Sequence, residues 1–252
     1  MVSNGIFNRL SLIIVDIQND FIDGSLGVDK HFDRPITPKI ISNINNISKL
    51  FETVVYTRDW HPENHISFLE NHDIWKNKSV DSELVMGNYY QLKNSDGKII
   101  ELRLWPKHCV QNHSGAEFPK SLNFVNNAIV IDKGIIADTE TYSGFGFDNP
   151  PKSITPLAKI LKEKNIVANF ICGLVTHICV KATCIDSLKE GAVTFLILDC
   201  SGTFDQIAEK ETLVELKSQG AIVTSSKKIE EIFQMRNDKM EINELITSLI
   251  IH

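Results

Sequence analysis

The sequence predicts an α/β fold: a doubly wound, mainly parallel six-stranded sheet with helices on both faces. Three observations predict it: six short runs of aliphatic and β-branched residues, stretches of helical spacing between several of them, and a length that one open sheet can accommodate. Short apolar runs without strict alternation read as strands buried on both faces. Strands that alternate with helices are joined by crossovers and therefore lie parallel.

The first run is Leu12–Val15, closed by Asp16. Helical spacing over Ile40–Leu50 leads to a second strand at Thr53–Thr57, with Asp59 just past its end. The stretch 71–103 has little periodicity and carries Gly87, Asn88, Asn94 and Gly97, so it reads as an inserted excursion with a hairpin, forming a lid or rim. A third strand covers Ala128–Ile131, with Lys133 beyond it. Ile154–Lys164 reads as helix, Ile166–Cys172 as the fourth strand, and Val180–Glu190 as a helix stopping at Gly191. Val193–Leu198, a helix over Ala208–Ser218 stopping at Gly220, and Ala221–Thr224 complete the alternation. In the tail, 227–252, Ile229, Ile232 and Phe233 and then Ile242, Leu245, Ile246 and Leu249 suit a helix. One domain over 1–252 is the expectation.

Composition narrows the function. Apolar residues make up 42% and charged residues 23% of the 252, which places the chain among folded globular proteins. The net charge of −6, with basic residues scattered, argues against nucleic acid as a ligand. Asp16 interrupts the longest early apolar run, so neither a signal-peptide core nor a membrane span is read here. The cysteines, at 109, 172, 179, 184 and 200, are odd in number and sparse, which suits a reducing compartment and one reactive thiol. A cytoplasmic location is expected, with the nucleus also open to the chain.

In a doubly wound sheet the ligand lies beyond the carboxyl ends of the strands. Asp16, Asp59, Lys133 and the segment 173–179 all occupy such ends. Asp59 and His61, two apart on extended chain, project to one side and form a ready pair of metal ligands. His65, His108 or His113 could each supply a third, and spacing does not choose among them. Three mixed nitrogen and oxygen ligands would suit zinc, iron(II) or manganese(II). Cys179 opens a helix, where positive potential favours thiolate and free backbone N–H groups can hold an oxyanion. A carboxylate near a lysine could take the thiol proton if Asp16 and Lys133 converge on it.

Four segments then become specific together: VDIQNDF at 15–21, TRDWHPENHISF at 57–68, LWPKHCVQ at 104–111 with SGAEF at 114–118, and GLVTHICVKAT at 173–183. In this order they resemble the nicotinamidases of the isochorismatase-like cysteine hydrolases, and IDKG at 131–134 supplies the lysine such enzymes need. The resemblance implies a catalytic triad of Asp16, Lys133 and Cys179 and one divalent metal, zinc foremost with iron or manganese as alternatives, on Asp59, His61 and His108. His65 and His113 are then left to supporting or surface roles. It further implies a cis peptide between Leu174 and Val175 that turns the Val175 N–H toward the oxyanion, and a pyridine pocket walled by Phe21, Trp105 and Tyr142.

The implied reaction is hydrolysis of nicotinamide to nicotinic acid through a cysteine thioester in NAD salvage, the metal orienting the ring. Nicotinamide is the implied partner, without nucleic acid or membrane, and homo-oligomerisation is left open. The rival readings are a related amidase acting on another small amide or carbamoyl compound, a metal-activated water with a structural Cys179, and an inactive binding or regulatory homologue. Two departures flank the pocket. His177-Ile178 stand where an acidic residue and tyrosine are usual, and Asn112-His113 where Gly-Thr is common.

Overall fold

The computed structural model describes residues 5–77, 84–146, 155–235 and 240–249. Strands β1 (Leu10–Val15) and β2 (Thr53–Asp59) flank two helices, α1 (Asn19–Ile22) and α2 (Thr37–Ser48). A short α3 (His72–Trp75) leads into an antiparallel hairpin of β3 (Tyr89–Lys93) and β4 (Ile99–Arg103), so the excursion does contain a hairpin. Residues 78–83 of that excursion lie outside the described residues. Then follow β5 (Ile129–Lys133), α4 (Leu157–Glu163), β6 (Ala168–Leu174), α5 (Lys181–Lys189), β7 (Val193–Gly202), α6 (Gln206–Ser218), β8 (Ile222–Thr224), α7 (Ser226–Gln234) and α8 (Ile242–Leu249). The expected start of the fourth helix, Ile154, also lies outside the described residues.

Six strands form one parallel sheet in the order β5-β2-β1-β6-β7-β8. The chain winds outward from β1 through β2 to β5, returns to the other side of β1, and winds outward again through β6, β7 and β8. The direction therefore switches between β1 and β6, and beyond their carboxyl ends a crevice forms between diverging loops. The Asp16 loop and the Gly173–Cys179 segment leave the sheet at that switch.

Period-two projection divides the strand side chains between two cores. Leu10, Leu12 and Ile14 of β1, Val54 and Tyr56 of β2, and Phe170 and Cys172 of β6 enter one layer. Ile13, Val15, Val55 and Ile171 enter the other. On the first face α2 buries Ile40, Ile41, Ile44 and Ile47, one apolar stripe of helical spacing. Ile229 and Ile232 of α7 and Leu245 and Leu249 of α8 join that layer, which supplies the tail with its partner surface. On the second face lie Leu157 and Leu161 of α4, Cys184 of α5 and Leu216 of α6.

Candidate active site

Asp16 follows β1 directly, with a left-handed φ of 50° that suits aspartate better than most residues. Its backbone N–H donates to Thr57 O at 3.1 Å, and the Thr57 hydroxyl donates to Asp16 Oδ1 at 2.7 Å. On the other side of β1, Gly173 holds φ +123°, and a Cβ there would fall 2.0 Å from Val15 O. Only glycine lets β6 approach so closely as it turns toward Cys179.

Lys133, the last residue of β5, is 1% exposed and reaches beneath the crevice. Its Nζ lies 2.9 Å from Asp16 Oδ2, 2.5 Å from Asp59 Oδ1, 3.3 Å from Thr141 O and 3.6 Å from Cys179 Sγ. Burial opposes the ammonium charge, but Asp16 and Asp59 outweigh it and hold the lysine protonated. For Asp16, burial raises the carboxyl more than Lys133 lowers it, and its pKa stands at about 6. Oδ2 faces the Lys133 ammonium while Oδ1 takes the Thr57 hydroxyl, so Oδ2 is the oxygen turned toward the lysine and the thiol beyond it. Ligand atoms of Asp16, Asp59 and Cys179 all lie within 4.8 Å of one another.

Cys179 sits in one turn of π-helix, Thr176–Val180, ahead of α5 rather than at the α-helix start. Such turns recur at functional sites because they displace one side chain from helical register. Its electrostatics depart from the sequence expectation of a favoured thiolate. Burial pushes the thiol well above its ordinary pKa, and Lys133 only partly counters this. The resting group is therefore a thiol, with a carboxylate near neutrality placed to take its proton.

Asp59, His61 and His108 also have ligand atoms within 4.8 Å of one another, all buried. Two backbone devices make this cluster. Gln18 accepts from Asp59 N–H at 2.8 Å and donates to Asp59 O at 2.7 Å, gripping that residue from both sides. His61 N–H donates to Cys109 O at 3.0 Å and Gln111 N–H to His61 O at 2.8 Å, which draws the 108–111 segment alongside.

His61 Nδ1 lies 2.9 Å from Gly134 O, and His108 Nδ1 lies 2.8 Å from Pro106 O. Carbonyl partners at Nδ1 place the proton there and turn each Nε2 free, the arrangement of metal-binding imidazoles. Burial and the neighbouring His61 lower His108 to a pKa of about 4, keeping it neutral. Burial opposes charge on His61, but Asp59 raises it; burial likewise opposes ionisation of Asp59, which Lys133 and His61 hold far down. The donor set thus fits a divalent cation. His65 is stacked on His61, centroids 4.0 Å apart, but its own nitrogens are engaged by Ser67 Oγ and Thr139 O. His113 is exposed.

Cys179 meets Asp59 and His108 in one small pocket, lined also by Phe21, Leu26, Trp105, Glu140, Tyr142, Val175, Ile178 and Phe204, with Asp16, Lys133 and His61 behind it. The three expected walls, Phe21, Trp105 and Tyr142, line it together with Val175, and the Leu174–Val175 peptide is cis. Trp105 is delivered by the end of the excursion, its N–H bonded to Ser67 O at 2.8 Å and its indole donating to Tyr142 Oη at 3.3 Å. The sequence reading missed Leu26, Glu140 and Phe204. Leu26 and Phe204 sit in loops without periodicity, and Glu140, whose carboxyl burial raises, carried no motif. Ile178 was visible only as a departure from the family pattern.

The chemistry available is attack by a buried thiol, with a carboxylate base, on a flat molecule held between aromatic rings and a candidate metal site. An isochorismatase domain model matches residues 11–228. The nicotinamidase of Acinetobacter baylyi is 34% identical over 202 residues, spanning 79% of this chain and 83% of that protein. Among solved structures, yeast nicotinamidase bound to the inhibitor nicotinaldehyde superposes with a TM-score of 0.72 at 30% identity, covering 86% of this chain and 99% of that one. The pyrazinamidase of Pyrococcus horikoshii in complex with zinc has a TM-score of 0.64 at 34% identity, with coverage of 86% and 99%.

Proposed function

The chain belongs to the isochorismatase domain family, and from that premise we propose that it is a nicotinamidase, hydrolysing nicotinamide to nicotinic acid and ammonia. The observation that carries this reading is the meeting, across one aromatic pocket, of Cys179 and its buried Asp16–Lys133 partners with the Asp59, His61 and His108 cluster. The pocket offers a thiol for the amide carbon and a cation site for the ring nitrogen of the same small molecule.

In the first half-reaction Asp16 Oδ2 takes the thiol proton as Cys179 Sγ bonds to the carboxamide carbon, and the carbonyl electron pair moves onto oxygen. The N–H groups of Val175 and Cys179 hold that oxyanion. Its collapse breaks the C–N bond, Asp16 returns the proton to the departing nitrogen, and ammonia leaves a thioester. Water, deprotonated by Asp16, then attacks the thioester. Collapse expels the sulfur, which recovers its proton, and nicotinic acid departs. Lys133 keeps Asp16 ionised between protons and stabilises the developing thiolate. Phe21 and Trp105 sandwich the pyridine, and Tyr142 forms a third wall.

A divalent ion on Asp59, His61 and His108, zinc foremost with iron(II) or manganese(II) as the alternatives, supplies when bound an anchor that orients the ring. We place the reaction in NAD salvage and in the reducing cytoplasm, a setting the five free thiols suit. The test is ammonia release from nicotinamide by the purified protein, with and without chelator, repeated with Cys179→Ala. Release that needs metal and falls to background in the variant is expected. Undiminished release by Cys179→Ala would overturn the covalent mechanism, and release from a carbamoyl compound but not from nicotinamide would overturn the substrate.

A further inference from the structure

We propose that Phe204 forms the mouth of the pocket and that His177 fixes its position, so that together they decide which substituted pyridine amides enter. This rests on the nicotinamidase reading. Most of the lining is buried, but Tyr142, Ile178 and Phe204 are only half-buried, so the pocket opens between them. Phe204 lies in the loop joining β7 to α6, and its ring is met edge-on by His177, centroids 4.9 Å apart at 88°. His31 meets the Phe204 ring as well, at 5.6 Å.

The turn that carries the nucleophile grips this loop twice at its β7 end. His177 Nδ1 lies 2.7 Å from Thr203 Oγ1, to which Asp205 N–H also donates at 3.1 Å. The Thr176 hydroxyl donates to Gly202 O at 3.0 Å. The residue two before the nucleophile is thus linked by one hydroxyl to the residue before Phe204. Polar and edge-on aromatic contacts act on the same imidazole, so its removal frees the phenyl ring to swing.

Which substituents meet that ring follows from the substrate's shape. On the proposed mechanism the ring nitrogen faces the Asp59, His61 and His108 site and the carboxamide carbon faces Cys179, and in nicotinamide these two positions flank C2. The opposite atom, C5, points away from both and toward the opening. A methyl group at C5 therefore meets Phe204, and an apolar pocket that lacks room for a methyl discriminates by about tenfold to a few hundredfold.

The experiment measures kcat and KM for nicotinamide and for 5-methylnicotinamide with the metal-loaded wild type and with Phe204→Ala, Phe204→Leu, His177→Ala and His177→Asn. The wild type is expected to prefer nicotinamide. The kcat/KM ratio of the methylated to the plain amide should rise about tenfold in Phe204→Ala, and less in Phe204→Leu, which retains more bulk. His177→Ala should raise the same ratio, with kcat for nicotinamide within about twofold of wild type, and His177→Asn, which keeps a donor near the Nδ1 position, should restore part of the selectivity. A ratio unchanged in folded Phe204 and His177 variants, with wild-type turnover of nicotinamide intact, would overturn the mouth assignment alone. A wild type that releases no ammonia from nicotinamide would overturn both this inference and the functional reading beneath it.

Discussion

Lys133→Met tests how the triad is held. The Lys133 ammonium lies 2.9 Å from Asp16 Oδ2, and at an effective dielectric of about 20 a unit pair at that distance is worth roughly 6 kcal/mol. Since about 1.4 kcal/mol corresponds to one pKa unit, its loss should raise Asp16 by several units. In the proposed mechanism Asp16 works as an ionised base. In the wild type, with the carboxyl at about 6, kcat/KM should hold above that pH and fall about tenfold per unit below it. In Lys133→Met the acid limb should move far to the alkaline side. At pH 7 the loss should be about 100-fold or more, with partial recovery as the pH is raised. Ammonia release between pH 5 and 9, with metal supplied, is the assay. Asp16 and Asp59 would be left as buried carboxylates without this cation, a change that costs roughly 3–5 kcal/mol when one partner of a buried pair is removed. Circular dichroism must therefore accompany the kinetics, and Lys133→Gln, which retains a hydrogen-bond donor, serves if the methionine variant does not fold. A folded variant whose acid limb stays at about 6 would refute Lys133 control of Asp16.

His108→Ala should weaken metal binding by at least about 100-fold, more than the loss of a supporting contact, in competition with a chromogenic chelator; unchanged affinity would remove His108 from the ligand set. Gly134→Ala would bring a Cβ to 2.2 Å from the His61 ring at a residue with φ +63°, so metal affinity should fall about 10- to 100-fold in the same titration. Ile229→Ala removes a fully buried contact between α7 and the sheet. It should cost about 2–5 kcal/mol, read as a lower urea midpoint at unchanged slope, and an unmoved midpoint would detach the tail from the core.

Much of the fold was legible because its signals are local. Strand runs such as Leu12–Val15 and Val193–Leu198 are apolar on both faces, and they needed only short extensions to become β1 and β7. The hairpin in the excursion followed from Asn94 and Gly97, which form its turn. Two features were read less well. Cys179 was expected to open an α-helix, since residues 179–183 continue smoothly into one, but the preceding π-turn depends on how β6 leaves the sheet. The thiol was expected to be depressed by that helix, whereas burial among Asp16, Lys133 and Asp59 decides its protonation.

The sequence by itself determined the alternation of strands and helices, the strand-end placement of Asp16, Asp59, Lys133 and Cys179, and the ordered motifs that carry the family resemblance. Spacing left His65, His108 and His113 equivalent. Tertiary structure separated them geometrically: His65 spends both ring nitrogens on Ser67 and Thr139, His113 faces solvent, and His108 is drawn in by the pairing of 108–111 with His61. It also brought Phe204 to the pocket from a loop with no sequence signal. The physical reason is common to these cases. Periodicity records which face of an element is buried, but distances between strand ends, the closure of loops over them and the burial that shifts a pKa arise only once the sheet's register and its switch at β1 and β6 are in place.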